Sequence, residues 1–149
     1  MRNTGKSIPR PTESELELLR ILWENEPATV RDIYDALNRE RVSGYTTVLK
    51  MLQIMTAKGL VVRDEANRAH VYRSAFTQEA MQNRILKDLS VRLFSGSAAQ
   101  LALHALAMEP ASEVELDEIR ALIEQQRPTE TVRITESASN SQKARKDRL

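Results

Sequence analysis

Behind Thr12 the apolar positions Leu16, Leu19, Leu22 and Trp23 recur at helical spacing, and Thr12 with Glu15 three residues on has the form of a capping box. The pattern predicts a first helix over about 13–25, stopped by Pro27. Ala28-Thr29 then leads into a second helix with Thr29 as N-cap and Val30, Ile33, Tyr34 and Leu37 on one face, ending near Arg39. Ser43-Gly44 supplies a turn. A third helix runs from Thr46 to Lys58, with Gly59 just past its end and Val48, Met51, Leu52 and Met55 as its apolar face. Two short β-rich runs follow, Leu60-Val61-Val62 and Ala69-His70-Val71-Tyr72, around the polar turn Asp64-Glu65-Ala66-Asn67-Arg68. Three helices followed by a hairpin is the order of a winged helix-turn-helix.

The second half of the chain is helical throughout. Thr77 and Glu79 open a fourth helix with Met81, Ile85, Leu89 and Leu93 at intervals of four, closed by Phe94-Ser95-Gly96. A fifth runs from Ala98 to Met108 and is broken by Pro110; Ser112 caps a sixth, with Leu116, Ile119, Leu122 and Ile123 on one face, and Pro128 ends it. From Thr129 onward polar residues occur without apolar periodicity. No internal repeat is visible. The expected fold is mainly α with a small β-hairpin wing, a winged helix-turn-helix followed by a helical arm. Its organisation reads as a disordered N-terminus (1–11), a winged helix (12–75), a helical domain (76–127) and a disordered polar tail (128–149).

Composition narrows the chemistry. Hydrophobic residues make up 41% of the 149 and aromatics only 4%, so packing must come from aliphatic side chains and methionine. The chain has no cysteine, which removes disulfides and thiolate metal sites, and His70 and His104 cannot alone complete a metal shell. No cofactor is expected. No apolar run approaches the roughly 18 residues of a membrane span, and MRNTGKSIPRP has no apolar core of a signal peptide, so a cytoplasmic protein without membrane insertion is expected. The net charge of +1 hides an asymmetry: residues 1–75 carry 12 Lys/Arg against 10 Asp/Glu, whereas residues 76–127 carry 5 against 8. That suits nucleic acid in front and protein contacts behind.

With its apolar face turned inward, the third helix presents Thr46, Thr47, Lys50 and Gln53 outward, with Tyr45 just ahead. An α-helix fits the major groove of DNA, where Lys reaches guanine acceptors and Thr offers a hydroxyl and a methyl group; the plain alternative is a solvated polar face. Arg68 at the hairpin tip, with Arg63 and Arg73 on the flanking strands, suits phosphate or minor-groove contacts, the plain alternative being a solvated turn, and Arg31 beside Thr29 suits a phosphate held at a helix start. An enzyme is not expected, because the chain has no cysteine nucleophile, no Gly-rich phosphate loop and no HExxH; the acidic pairs Glu13/Glu17 and Glu113/Asp117 read as solvated helix faces. Two other readings stand beside DNA binding. One is a winged helix used as a protein-interaction module, which salt-dependent duplex binding would exclude, and the other is a ligand-sensing winged-helix regulator.

The segments Pro11-Thr12-Glu13-Ser14-Glu15-Leu16-Glu17-Leu18-Leu19, Gly44 to Asp64, the strand Ala69-His70-Val71-Tyr72-Arg73-Ser74 and the linker Arg92 to Ser97 together resemble the BlaI/MecI/CopY family of penicillinase repressors and copper-responsive relatives. The resemblance covers Pro11 to about Gln126. It implies a homodimeric repressor that binds a palindromic double-stranded DNA operator, with Thr46, Thr47 and Lys50 matching the DNA-contacting stretch. It also implies that 12–75 is the DNA-binding domain and 76–127 the dimerisation domain, with Leu89, Leu93, Phe94, Leu101, Leu106, Leu116, Ile119 and Ile123 as interface candidates; the alternative is intrachain core, although an arm of about 50 residues can hardly bury so many apolar groups alone. The copper-sensing members carry a C-terminal cysteine hook that this chain lacks. The β-lactam-responsive members are cut by a membrane sensor-protease at an Asn-Phe bond in the stretch aligning near Leu103-His104-Ala105, and that bond is absent here. The signal that releases the repressor is therefore open.

Overall fold

Thr12 Oγ1 accepts from the Glu15 backbone N–H, and the Glu15 carboxylate accepts from the Thr12 N–H, both at 3.2 Å. This closed capping box starts α1 (Glu13–Asn25) where the sequence places it. The computed structural model describes residues 7–127 except Asn67. After α1 come β1 (Ala28–Thr29), α2 (Val30–Glu40), α3 (Tyr45–Lys58), β2 (Val61–Asp64), β3 (Val71–Ser74), α4 (Gln78–Leu93), α5 (Ala98–Met108) and α6 (Glu113–Gln126). The chain divides at Ala98 into two units. The expected tail 128–149 lies outside the described residues, as do 1–6 of the expected N-terminal segment; within 7–11, Ile8 packs against the core.

In the first unit, Leu18, Leu19 and Leu22 of α1 meet Ile33 and Leu37 of α2 and Val48, Leu52 and Met55 of α3, all buried. Each fully buried side chain of this kind contributes roughly 1.5–3 kcal/mol relative to an exposed one. The sheet closes the core with strand order β1-β3-β2, both pairs antiparallel. β2 and β3 form the expected hairpin wing, with Val61 opposite Ser74 and Asp64 opposite Val71. The third strand, β1, is an addition to the sequence reading: Ala28 pairs with Tyr72 and Thr29 with Val71. The dyad is too short to show a period of two, and what makes it a strand is its partner.

α4 belongs to the first compact unit, which ends at Ala98. Met81 is 1% exposed within the shared core, and the Trp23 indole N–H donates to the Phe76 carbonyl at 3.0 Å, fixing the approach to α4 against α1. In the second unit, Ser112 and Glu115 form a further capping box, and hydrogen bonds from the Ser112 backbone and hydroxyl hold the Glu115 carboxyl below its usual range. Neither α5 nor α6 buries a single residue. Among the described residues no helix is long and apolar enough to cross a membrane.

Candidate nucleic-acid interface

The α2–α3 turn is held by side chains at three points. Asn38 donates through Nδ2 to the Tyr34 carbonyl at 2.8 Å and accepts the Ser43 N–H on Oδ1 at 3.0 Å, folding the chain back after α2. Arg41, at the end of α2, donates to both carboxylate oxygens of Glu17 on α1, at 2.9 and 3.2 Å, and this partner pushes the guanidinium pKa up. At the far end of α3, Lys58 pairs with the nearly buried Glu15 at 2.8 Å. Gly59 follows in the left-handed region at φ 81°, where its N–H meets the carbonyls of Met55 and Thr56; a side chain there would be strained. α3 is thus anchored at both ends.

Between these anchors α3 buries Val48, Leu52 and Met55 and exposes Tyr45, Thr46, Thr47, Lys50 and Gln53. Met51, expected on the inward face, is half-buried at its edge. Gly44 at the N-cap has no side chain to accept from the first turn of α3, and among the described residues no side-chain cap replaces it. Among the described residues no carboxylate forms an ion pair with Lys50.

Beside this face lies a shallow hollow of about 490 Å³ whose lining includes Thr29, Arg31, Tyr45, Gln53, Arg63 and Arg68. Five of the eight sequence-derived DNA candidates therefore share one concavity, while Thr46, Thr47 and Lys50 stand on the exposed helix outside its lining. Thr29 caps α2 in a box with Asp32, whose carboxyl is held below its usual range by hydrogen bonds from the Thr29 backbone and hydroxyl. Arg63 pairs with Glu65 at the β2 end of the wing turn, which raises its pKa, and Asp64 Oδ1 accepts the Ala66 N–H at 2.9 Å.

Sequence reasoning missed the ring that organises this corner. The Arg31 guanidinium lies 5.5 Å above the Tyr34 ring, and Tyr34 meets Tyr45 edge-on at 5.6 Å with 69° between the planes. Arg31 also pairs with Asp35 at 3.3 Å. Tyr34 was legible only as an apolar position of α2. His70 joins the lining of the hollow as well.

Of the interface candidates, Phe94, Leu101, Leu116 and Ile119 are half-buried, and Leu89, Leu93, Leu106 and Ile123 are exposed. Leu103, His104 and Ala105 are exposed in the middle of α5.

Three helices, a hairpin wing and a third strand joining the wing to the start of α2 define a winged-helix protein. The chain belongs to the penicillinase repressor family, whose model matches residues 11–125. That is a family of transcriptional repressors, not of enzymes. The Mycobacterium tuberculosis transcriptional regulator BlaI is 30% identical over 97 residues, spanning 64% of this chain and 70% of that protein. The Bacillus licheniformis penicillinase repressor is 20% identical over 120 residues, spanning 80% of this chain and 94% of that protein. A solution structure of the monomeric form of Bacillus licheniformis BlaI in complex with the blaP half-operator matches with a TM-score of 0.44 and 20% identity, covering 49% of this chain and 89% of that one.

Proposed function

We propose that this repressor acts as a cytoplasmic homodimer that inserts α3 into the major groove of a two-fold DNA operator. The observation that carries the reading is the anchored α3 face, where Thr46, Thr47 and Lys50 are exposed beside a hollow rimmed by Arg31, Arg63 and Arg68. Lys50 and the threonines have the reach and chemistry for base edges, and the three arginines and the uncapped first turn of α3 have those for phosphates. Thr29 and Tyr45 position the two helix starts that flank the hollow.

Dimerisation through the arm is supported by its burial. Helices that bury none of their own residues while exposing Leu103 at 60%, Val114 at 69% and Leu122 at 56% require another surface to cover them, and a second copy supplies a complementary one. Release by cleavage within α5, at Leu103-His104-Ala105, by a membrane sensor-protease completes the proposal. A helix with no buried residue opens locally at low cost, and a cut there would separate α4 from α6.

The test is to select duplexes from a random pool with the full chain and titrate the winners at several salt concentrations. A linear fall of log affinity against log salt, together with recovered sequences of two-fold symmetry, is the expected outcome. Salt-independent binding or recovery of no common sequence would overturn it. Following the full-length band by blot during derepression tests the release step, and an undiminished band would reject cleavage.

A further inference from the structure

We infer that Tyr34 is a positioning residue for DNA binding: its ring holds Arg31 of α2 and Tyr45 of α3 in one preformed contact unit, which rests on the DNA-contacting role of the face they share. Arg31 has a long side chain that is 71% exposed, and such a chain normally samples many rotamers and loses that freedom on binding. Here two neighbours restrain it. The guanidinium sits 5.5 Å from the Tyr34 ring centroid and 3.3 Å from Asp35, one helical turn further along α2. Arg31 and Tyr45 both line the hollow that Arg63 and Arg68 enter from the wing.

Tyr34 suits this role because it belongs to both the interior and the surface. It packs against the core formed by α1, α2 and α3, and its carbonyl receives Asn38 Nδ2, which also fixes the turn through Ser43. Packing against the core therefore restrains the ring, and the carbonyl contact restrains its backbone. Tyr45, the first residue of α3, rests edge-on against the other side, so the start of α3 and the phosphate-facing cation of α2 share one support. Asp35 adds direction as well as restraint, since it draws the guanidinium along α2 and leaves its remaining N–H donors for an incoming anion.

The experiment is a double-mutant cycle in the full chain, read as affinity for a selected duplex, with Arg31→Ala, Tyr34→Leu and the double variant, and Tyr34→Phe as the conservative replacement. Tyr34→Leu is expected to weaken binding about two- to fivefold, the range of an exposed cation–ring contact. The loss should shrink in the Arg31→Ala background, where only the Tyr45 contact is left to lose, and Tyr34→Phe should restore full affinity. Additive losses would overturn the positioning role while leaving the DNA face intact. Arg31→Ala and Lys50→Ala both without effect would instead overturn the face itself. A measurement on the unaltered protein covers the case in which Tyr34→Leu fails to fold. Protons of the Arg31 side chain beneath the ring should resonate upfield of ordinary arginine values, and ordinary shifts would refute the inference.

Discussion

Glu15 and Lys58 lie 43 positions apart, yet the Lys58 ammonium donates to both carboxylate oxygens of Glu15 at 2.8 Å. The same carboxylate closes the capping box of α1, so one side chain fixes the start of the first helix and the end of the third. With Glu15 only 6% exposed and Lys58 about a third exposed, removing the acid leaves a partly desolvated cation and an open helix start. Glu15→Ala should lower stability by about 1–3 kcal/mol, below the cost of breaking a fully buried pair because Lys58 can still reach water. Urea unfolding monitored by circular dichroism reads this directly, and an unchanged midpoint would contradict it.

Lys50→Ala should weaken binding to the selected duplex by about 1–3 kcal/mol and leave the thermal melt unchanged. The side chain is exposed on α3, so its loss creates no cavity. Arg68→Ala should instead weaken specific and random duplexes alike and reduce the salt slope by about one. Fluorescence anisotropy at four or five salt concentrations separates the two behaviours.

Ile119→Asp places a carboxylate on the half-buried face of α6 and should cost several kcal/mol of association. Analytical ultracentrifugation should find a monomer that keeps the winged helix folded. DNA affinity should drop with it, since the second half-site is no longer delivered at high effective concentration. An intact dimer would remove Ile119 from the interface.

Asp32 tests the helix start that carries Arg31. Its carboxyl pKa is lowered in the folded chain, chiefly by the Thr29 backbone N–H. A depressed folded pKa means stabilisation that is present above the unfolded value of about 3.9 and is lost as pH falls through the folded one. The melting temperature of Asp32→Ala should therefore trail that of the unaltered chain at pH 7, with the gap closing progressively below about pH 4. A gap independent of pH would assign the effect to side-chain packing.

The helices were legible because each carries its own local signal. Thr12 with Glu15 announced α1, Pro27 ended it and Gly59 closed α3, all through contacts within a few residues. What was not legible depends on partners distant in the chain. β1 exists because Tyr72 and Val71 lie alongside Ala28 and Thr29. The intervals of four in α4 marked an apolar stripe but not its neighbours, and Met81 joins the core of the winged helix. The outward face of α3 was readable from the periodicity of Val48, Leu52 and Met55; the Arg31–Tyr34–Tyr45 cluster was not, because it joins two helices around a turn.

Thr29 is at once the N-cap of α2 and the residue paired with Val71 of β3, so the wing is welded to the helix-turn-helix instead of hinged to it. The spacing between the backbone at the start of α2 and that at Arg63 is then set by strand pairing through β3. In the proposed DNA complex such a unit acts as a caliper of fixed jaw width. Operator variants that alter groove width between the contacted bases must be strained to fit it, and the strain falls on the DNA. Base changes at positions no side chain touches should consequently alter affinity, with flexible pyrimidine–purine steps tolerated better there than stiff A-tracts of the wrong width.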